Sequence, residues 1–185
     1  MTANSGGGAV RKATGAWSSR FIVAAIVQGA AVMALTLSVV GAQVLVSNIN
    51  VIQFLSLSFE GPAKWFFLGY ILYLILVVAV AVTAVFYSHL EVNLGKRIRG
   101  FRSVLAWVHL VGMNAGGAAA TIAMIFAGLA GSGVLDAIIA GSHELRPNPA
   151  IMDQFIAPIA AAAGLLSIGV LAGGLAYVST YLKKS

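Results

Sequence analysis

The sequence predicts an all-α integral membrane protein, a four-transmembrane-helix bundle with both termini cytoplasmic. Composition is the first reason. Of 185 residues 60% are hydrophobic and 9% charged, with a mean hydropathy of +0.97, far from an average soluble domain. The second is that the apolar residues gather in four stretches, about 21–46, 65–89, 104–130 and 155–181. Each exceeds the ~20 residues that cross ~30 Å of hydrocarbon as an α-helix. The third is that none of these stretches has an acidic or basic residue in its central turns. Residues 1–20 are expected to form a flexible cytoplasmic tail and 21–185 one four-helix membrane domain, because the connections are too short to fold alone.

The elements follow in order. Met1 to Gly15 is rich in Gly, Ala, Ser and Thr and lacks aromatics, so it cannot bury enough surface to offset its ordering entropy. The first apolar run reaches ~25 residues, against 7 to 15 for a signal-peptide core, and is read as a retained span. The next connection contains a short amphipathic piece, Val51, Ile52, Phe54 and Leu55, followed by Glu60-Gly61-Pro62. Trp65, Phe66 and Phe67 then stand where an interfacial aromatic belt is expected. The second segment is bulky from Leu68 to Val77, a poor seat for a close helix contact. After the third segment a short helix is expected at Val134 to Ala140, and Arg146-Pro147-Asn148-Pro149 cannot remain regular helix. Asp153 opens the fourth helix, with Pro158 early enough that its missing amide is tolerated.

Charge sets the orientation. Arg11, Lys12 and Arg20 precede the first segment, Lys96, Arg97, Arg99 and Arg102 lie between the second and third, and Lys183 and Lys184 follow the fourth. The positive-inside rule places all of them on the cytoplasmic side, leaving Lys64 and Arg146 outside. The formal net charge of +6 is explained by this orientation and by anionic headgroups, so membrane lipid is the expected partner and nucleic acid is not. The expected location is the cell membrane, with several passes. There is no cysteine, hence no disulfide framework and no thiolate ligand or nucleophile.

Helix packing is expected at small residues four apart, Gly112 and Gly116 in the third segment and Gly169 and Gly173 in the fourth, which let backbones approach closely. The intramembrane polar side chains are Gln28 and Asn114, with Thr121 further along. Interhelical hydrogen bonds are the ordinary role of such amides, and Thr83 and Ser167 can bond their own helix backbones. The lack of an embedded carboxylate or cation removes the essential part of a proton relay, a charge-coupled transporter or a voltage sensor. No catalytic set and no resident metal site is expected. Haem is the one conceivable cofactor, with His109 and His89 as its ligands across two antiparallel helices, although His89 falls close to the headgroups. His143 beside Glu144 is a weaker hint of a metal in the outer loop.

The third segment carries a resemblance. Ala106-Trp107-Val108-His109-Leu110-Val111-Gly112-Met113-Asn114, followed by Met124 to Gly131 with its Gly-Leu-Ala-Gly ending, resembles the penultimate helix of haem-copper oxidase catalytic subunits. Ala84-Val85-Phe86-Tyr87 leading to Gly95-Lys96-Arg97 is similar to the preceding helix and loop, and Val46-Ser47-Asn48 to the exit of the helix before. The resemblance extends over most of the chain as the final four helices of a subunit I-like protein. It departs where that family binds haem iron, since Trp65 to Tyr73 contains no histidine. What it implies is a ligand-free, non-catalytic accessory subunit of a respiratory or other redox complex, docking through small-residue helix faces and expected to hold no cofactor of its own. The alternative is a haem-binding electron-transfer protein that uses His109 with His89 or a partner's ligand.

Overall fold

The computed structural model describes residues 15–45, 50–51, 55, 61–141 and 144–183. Residues 1–14 of the expected tail, most of the amphipathic piece at 51–55, and His143 lie outside the described residues. Helix α1 is Ala16–Leu45, α2 Ala63–Ser88, α3 Phe101–Val111, α4 Gly117–Gly131, α5 Val134–Ala140 and α6 Asp153–Tyr181. Helices α3 and α4 form one span joined by a π-helical turn, Gly112–Gly116, and a second π-helical turn, His89–Asn93, ends α2. Among the described residues there are four helical spans long and apolar enough to cross a membrane.

The ends of the helices follow local chemistry. α1 begins inside the stretch expected to be tail, at Ala16, because its first-turn amides find a carboxylate on a distant part of the chain. Gly100, at φ 62°, turns the chain into α3 with a backbone that a side chain would strain. α5 occupies Val134–Ala140 as expected, between two left-handed glycines, Gly133 and Gly141. Pro149–Met152 is a single 3-10 turn, and α6 follows from Asp153 with Pro158 within its second turn.

The third span is the centre of the bundle. Half of its most apolar window is buried, against 33% for the second span and 11% for the first and fourth. α1 lies against α2, α2 against α4, and α6 against α3, α4 and the π-helical turn between them. The π-helical turn adds one residue to the helical repeat and so shifts the phase of the side chains beyond it. Gly112 and Gly116, within it, face α6; Gly117, Thr121 and Gly128, after it, face α2.

These glycines are where backbones meet. A Cβ on Gly112 would stand 2.7 Å from the Cα of Gly169, one on Gly169 would stand 2.7 Å from the amide nitrogen of Met113, and one on Gly116 would stand 2.5 Å from that of Leu166. The small-residue pairs expected from sequence therefore seal the chain's own third and fourth spans to each other. The second span corrects an expectation. Despite its bulk it makes a close contact through Gly69, whose added Cβ would lie 2.8 Å from the carbonyl oxygen of Thr121, and through Phe66, whose backbone occupies the space beside Gly128. One glycine at the crossing suffices, because the bulky neighbours point to other sides of the helix.

Candidate functional site

One stripe of α1 meets both α2 and the third span. Trp17, Phe21 and Gln28 recur at helical spacing. Trp17 and Phe21 are buried at the end of the bundle that carries the basic loop, and Gln28 lies deeper. Phe21 stacks on Tyr87 at a ring separation of 4.9 Å and meets His109 at 5.1 Å. The Tyr87 hydroxyl is 3.2 Å from His109 Nδ1. Above them the Arg20 guanidinium stands 4.4 Å from the centre of the Trp17 ring and 4.8 Å from that of Trp107, while the two indoles meet edge to face. The quadrupoles of both rings attract the cation at the level where a headgroup region is expected.

Two to three turns deeper lies a chain of hydrogen bonds. The Tyr73 hydroxyl donates to Gln28 Oε1 at 2.8 Å, and Gln28 Nε2 donates to Asn114 Oδ1 and to the Asn114 carbonyl, each at 3.3 Å. Asn114 Nδ2 donates in turn to the Leu110 carbonyl at 2.8 Å. Sequence placed Gln28 and Asn114 at depth and assigned them interhelical bonds, and they bond each other. Tyr73, the third member, was missed, because tyrosine in an apolar run looks like bulk. Thr83, Thr121 and Ser167 bond the carbonyls of Ala79, Gly117 and Ala163 on their own helices.

Between α1 and α3 a groove of about 610 Å³ runs from Ser19 and Arg20 down to Gln28 and Asn114. The eight helical steps from Arg20 to Gln28 span about 12 Å. Its walls, Val23, Val27, Leu110 and Val111, are apolar, so the amides form a polar floor under a cationic rim.

The two histidines read as haem ligands have different surroundings. His89 lies in the π-helical turn after α2, with its Nδ1 3.3 Å from Asn93 Nδ2. His109 is only 8% exposed, and its ring fills the space that a side chain at Gly173 would take. A porphyrin reaching it would have to displace Phe21, Tyr87 or the α6 backbone. Among the described residues no three His, Cys, Asp or Glu side chains are grouped closely enough to hold a metal ion.

The remaining chemistry is structural. Glu91, in the same π-helical turn as His89, accepts the backbone N–H groups of Trp17 and Ser18 at the start of α1. Sequence reasoning did not single it out; the signal was that it is the lone carboxylate among the many cations at this end. Gly173 and Gly112, read as helix-packing positions, stand against His109 and Gly169 within the chain.

Fold and site together define the class, a multi-pass membrane protein whose described residues are helical and include four spans apolar enough to cross a membrane and to contact lipid. Compared with known proteins, the chain matches no family model, no curated protein and no solved structure.

Proposed function

We propose that the chain is a non-catalytic subunit of a larger integral membrane complex in the cell membrane, with both ends cytoplasmic. One observation carries this reading: the polar side chains at depth are used on one another. Tyr73, Gln28 and Asn114 bond together, and Tyr87 is committed to His109. A buried polar network whose members satisfy one another rigidifies the bundle and specifies its packing, which is the role of a scaffold. The basic tail, the 96–102 loop and the C-terminus supply the orientation through the positive-inside rule.

The partner surface lies on α1 and α6. Their most apolar windows are the least buried of the four, and the close-packing glycines of the third span are already occupied internally. α6 keeps Gly164 and Gly174 facing open space, where another helix can approach without obstruction. The resemblance of the third span to haem-copper oxidase subunits makes a respiratory or other redox complex the first partner to seek.

Purification from the native membrane in a gentle detergent, with subunit identification and an absorption spectrum on one eluate, tests this. Co-elution with electron-transfer subunits is expected, reduced by Gly164→Phe, which blocks the outer face of α6 without touching the bundle interior. A chain that elutes alone, or keeps a haem spectrum after isolation, overturns the proposal.

A further inference from the structure

Two adjoining concavities open at the basic end, between the 94–102 loop, the start of α3 and the end of α6. They have volumes of about 320 Å³ and 500 Å³, and both are lined by Arg99, Arg102 and Lys183. We propose that this cleft is a specific site for an anionic phospholipid, with the cations holding the phosphodiester and the apolar wall holding the first part of an acyl chain.

The cleft is a built feature of the fold. Lys96 reaches across and donates from its Nζ to the carbonyls of Tyr181 and Lys183, with its ammonium 5.5 Å from the centre of the Tyr181 ring. The last carbonyls of a helix are its unsatisfied acceptors and the negative end of its dipole, so a lysine there fixes the end of α6. That strap places Lys183 beside Arg99 and Arg102. α3 begins at the same place without a side-chain cap, and the positive end of its dipole opposes the negative end of α6, so that the net charge is set by the side-chain cations.

Among the described residues the charge is not balanced by a carboxylate. Glu91, the carboxylate nearest in the chain, is bonded to the amides of α1. Asp136 and Asp153 belong to the connection and helix start at the other end, where Glu144 pairs with Arg146. Among the described residues no carboxylate is paired with Arg99, Arg102 or Lys183. Clustered cations at fixed positions beside a bilayer select acidic headgroups.

A lipid is favoured over a free anion because the larger concavity continues along Phe101, Leu105 and Leu175. Phe101 is 75% exposed and Leu175 62%, and they belong to helices that continue into the apolar spans. A free phosphate has no use for that wall; a chain attached to the phosphate lies on it.

The test uses the full chain in nanodiscs containing phosphatidylcholine with or without phosphatidylglycerol, followed by mild delipidation and counting of retained lipids by native mass spectrometry. Preferential retention of phosphatidylglycerol is expected. Arg99→Gln with Arg102→Gln is expected to lower that preference by about 30-fold, since each Lys or Arg beside an anionic surface contributes roughly a fivefold factor. Lys64→Gln, at the other end, keeps the preference. Equal retention of the two lipids, an unchanged preference in the double variant, or full displacement of the lipid by millimolar inorganic phosphate would each overturn the proposal. Because Gln at these surface positions leaves the Lys96 strap intact, helical content and monodispersity of the double variant serve as the folding control, and Lys183→Gln alone provides an independent reading with an expected loss of about fivefold.

Discussion

Glu91 caps the first turn of α1 at Trp17, although the two are 74 positions apart in sequence. Its Oε2 accepts the N–H of Trp17 at 3.0 Å and that of Ser18 at 3.2 Å. These amides are orphan donors of a helix start, and the negative charge also meets the positive end of the dipole. The π-helical turn His89–Asn93 widens the end of α2 and carries the carboxylate into reach. Gly15 is part of the same contact, because a Cβ there would collide with the Glu91 carboxylate.

Replacing Glu91 by Ala is expected to lower stability by about 1 to 2 kcal/mol, the loss of a charged cap. Gly15→Ala should produce a similar loss by displacing the carboxylate. The double variant should lose no more than about the larger single effect, since both changes break one contact. Reversible unfolding in mixed micelles measures all three, and strict additivity would show that the two residues act separately.

The amide network is expected to behave as one unit. Gln28→Leu and Asn114→Leu should each cost on the order of 1 kcal/mol, with a coupling energy of about 0.5 to 1 kcal/mol in a double-mutant cycle. Tyr73→Phe should cost about 0.6 kcal/mol in the wild-type background and much less when Gln28 is already Leu. A Tyr73→Phe loss that is the same in both backgrounds would rule out the bond from Tyr73 to Gln28.

Gly173 and His109 should show compensation. Gly173→Ala drives a methyl group into the imidazole and is expected to cost about 1 to 3 kcal/mol, as overpacking does. In a His109→Ala background the same change should be nearly neutral. Gly41→Ala and Gly164→Ala, which meet nothing within 4 Å, should be neutral or slightly stabilising. Thermal scans of the five proteins decide, and a destabilising Gly164→Ala equal to Gly173→Ala would contradict the packing.

Arg20 should report itself through tryptophan. Removing its guanidinium from over the Trp17 and Trp107 rings by Arg20→Gln is expected to shift and brighten or quench indole emission and to lower stability by about 1 kcal/mol. Arg20→Lys should recover part of the stability. An emission spectrum unchanged by Arg20→Gln would mean that the contact of the cation with the two rings does not persist.

Much of the fold was legible. The four spans, the helix at Val134–Ala140, the break at Arg146 to Pro149 and the roles of Gln28, Asn114, Thr83 and Ser167 were read from residue type and spacing. The site was legible only in part. Gly69 and Gly128 were overlooked because a single glycine in an apolar run announces nothing until its neighbour across the crossing is known. Tyr73 and Tyr87 were overlooked because the hydroxyl of an aromatic side chain matters only when an acceptor stands opposite.

By itself the sequence determined where the chain is apolar for long enough to cross a membrane and where its charges stop it, since both depend on transfer from water and on length alone. The tertiary structure alone decided which face of each helix is inside. Lipid and a packed helix are equally apolar, so Leu, Val and Ile carry no preference between them. The choice falls to close approach at Gly112, Gly169, Gly69 and Gly128, to the bond between Gln28 and Asn114, and to the reach of Glu91 onto α1. Each of these depends on a partner distant in sequence, and becomes favourable only when the fold has brought that partner near.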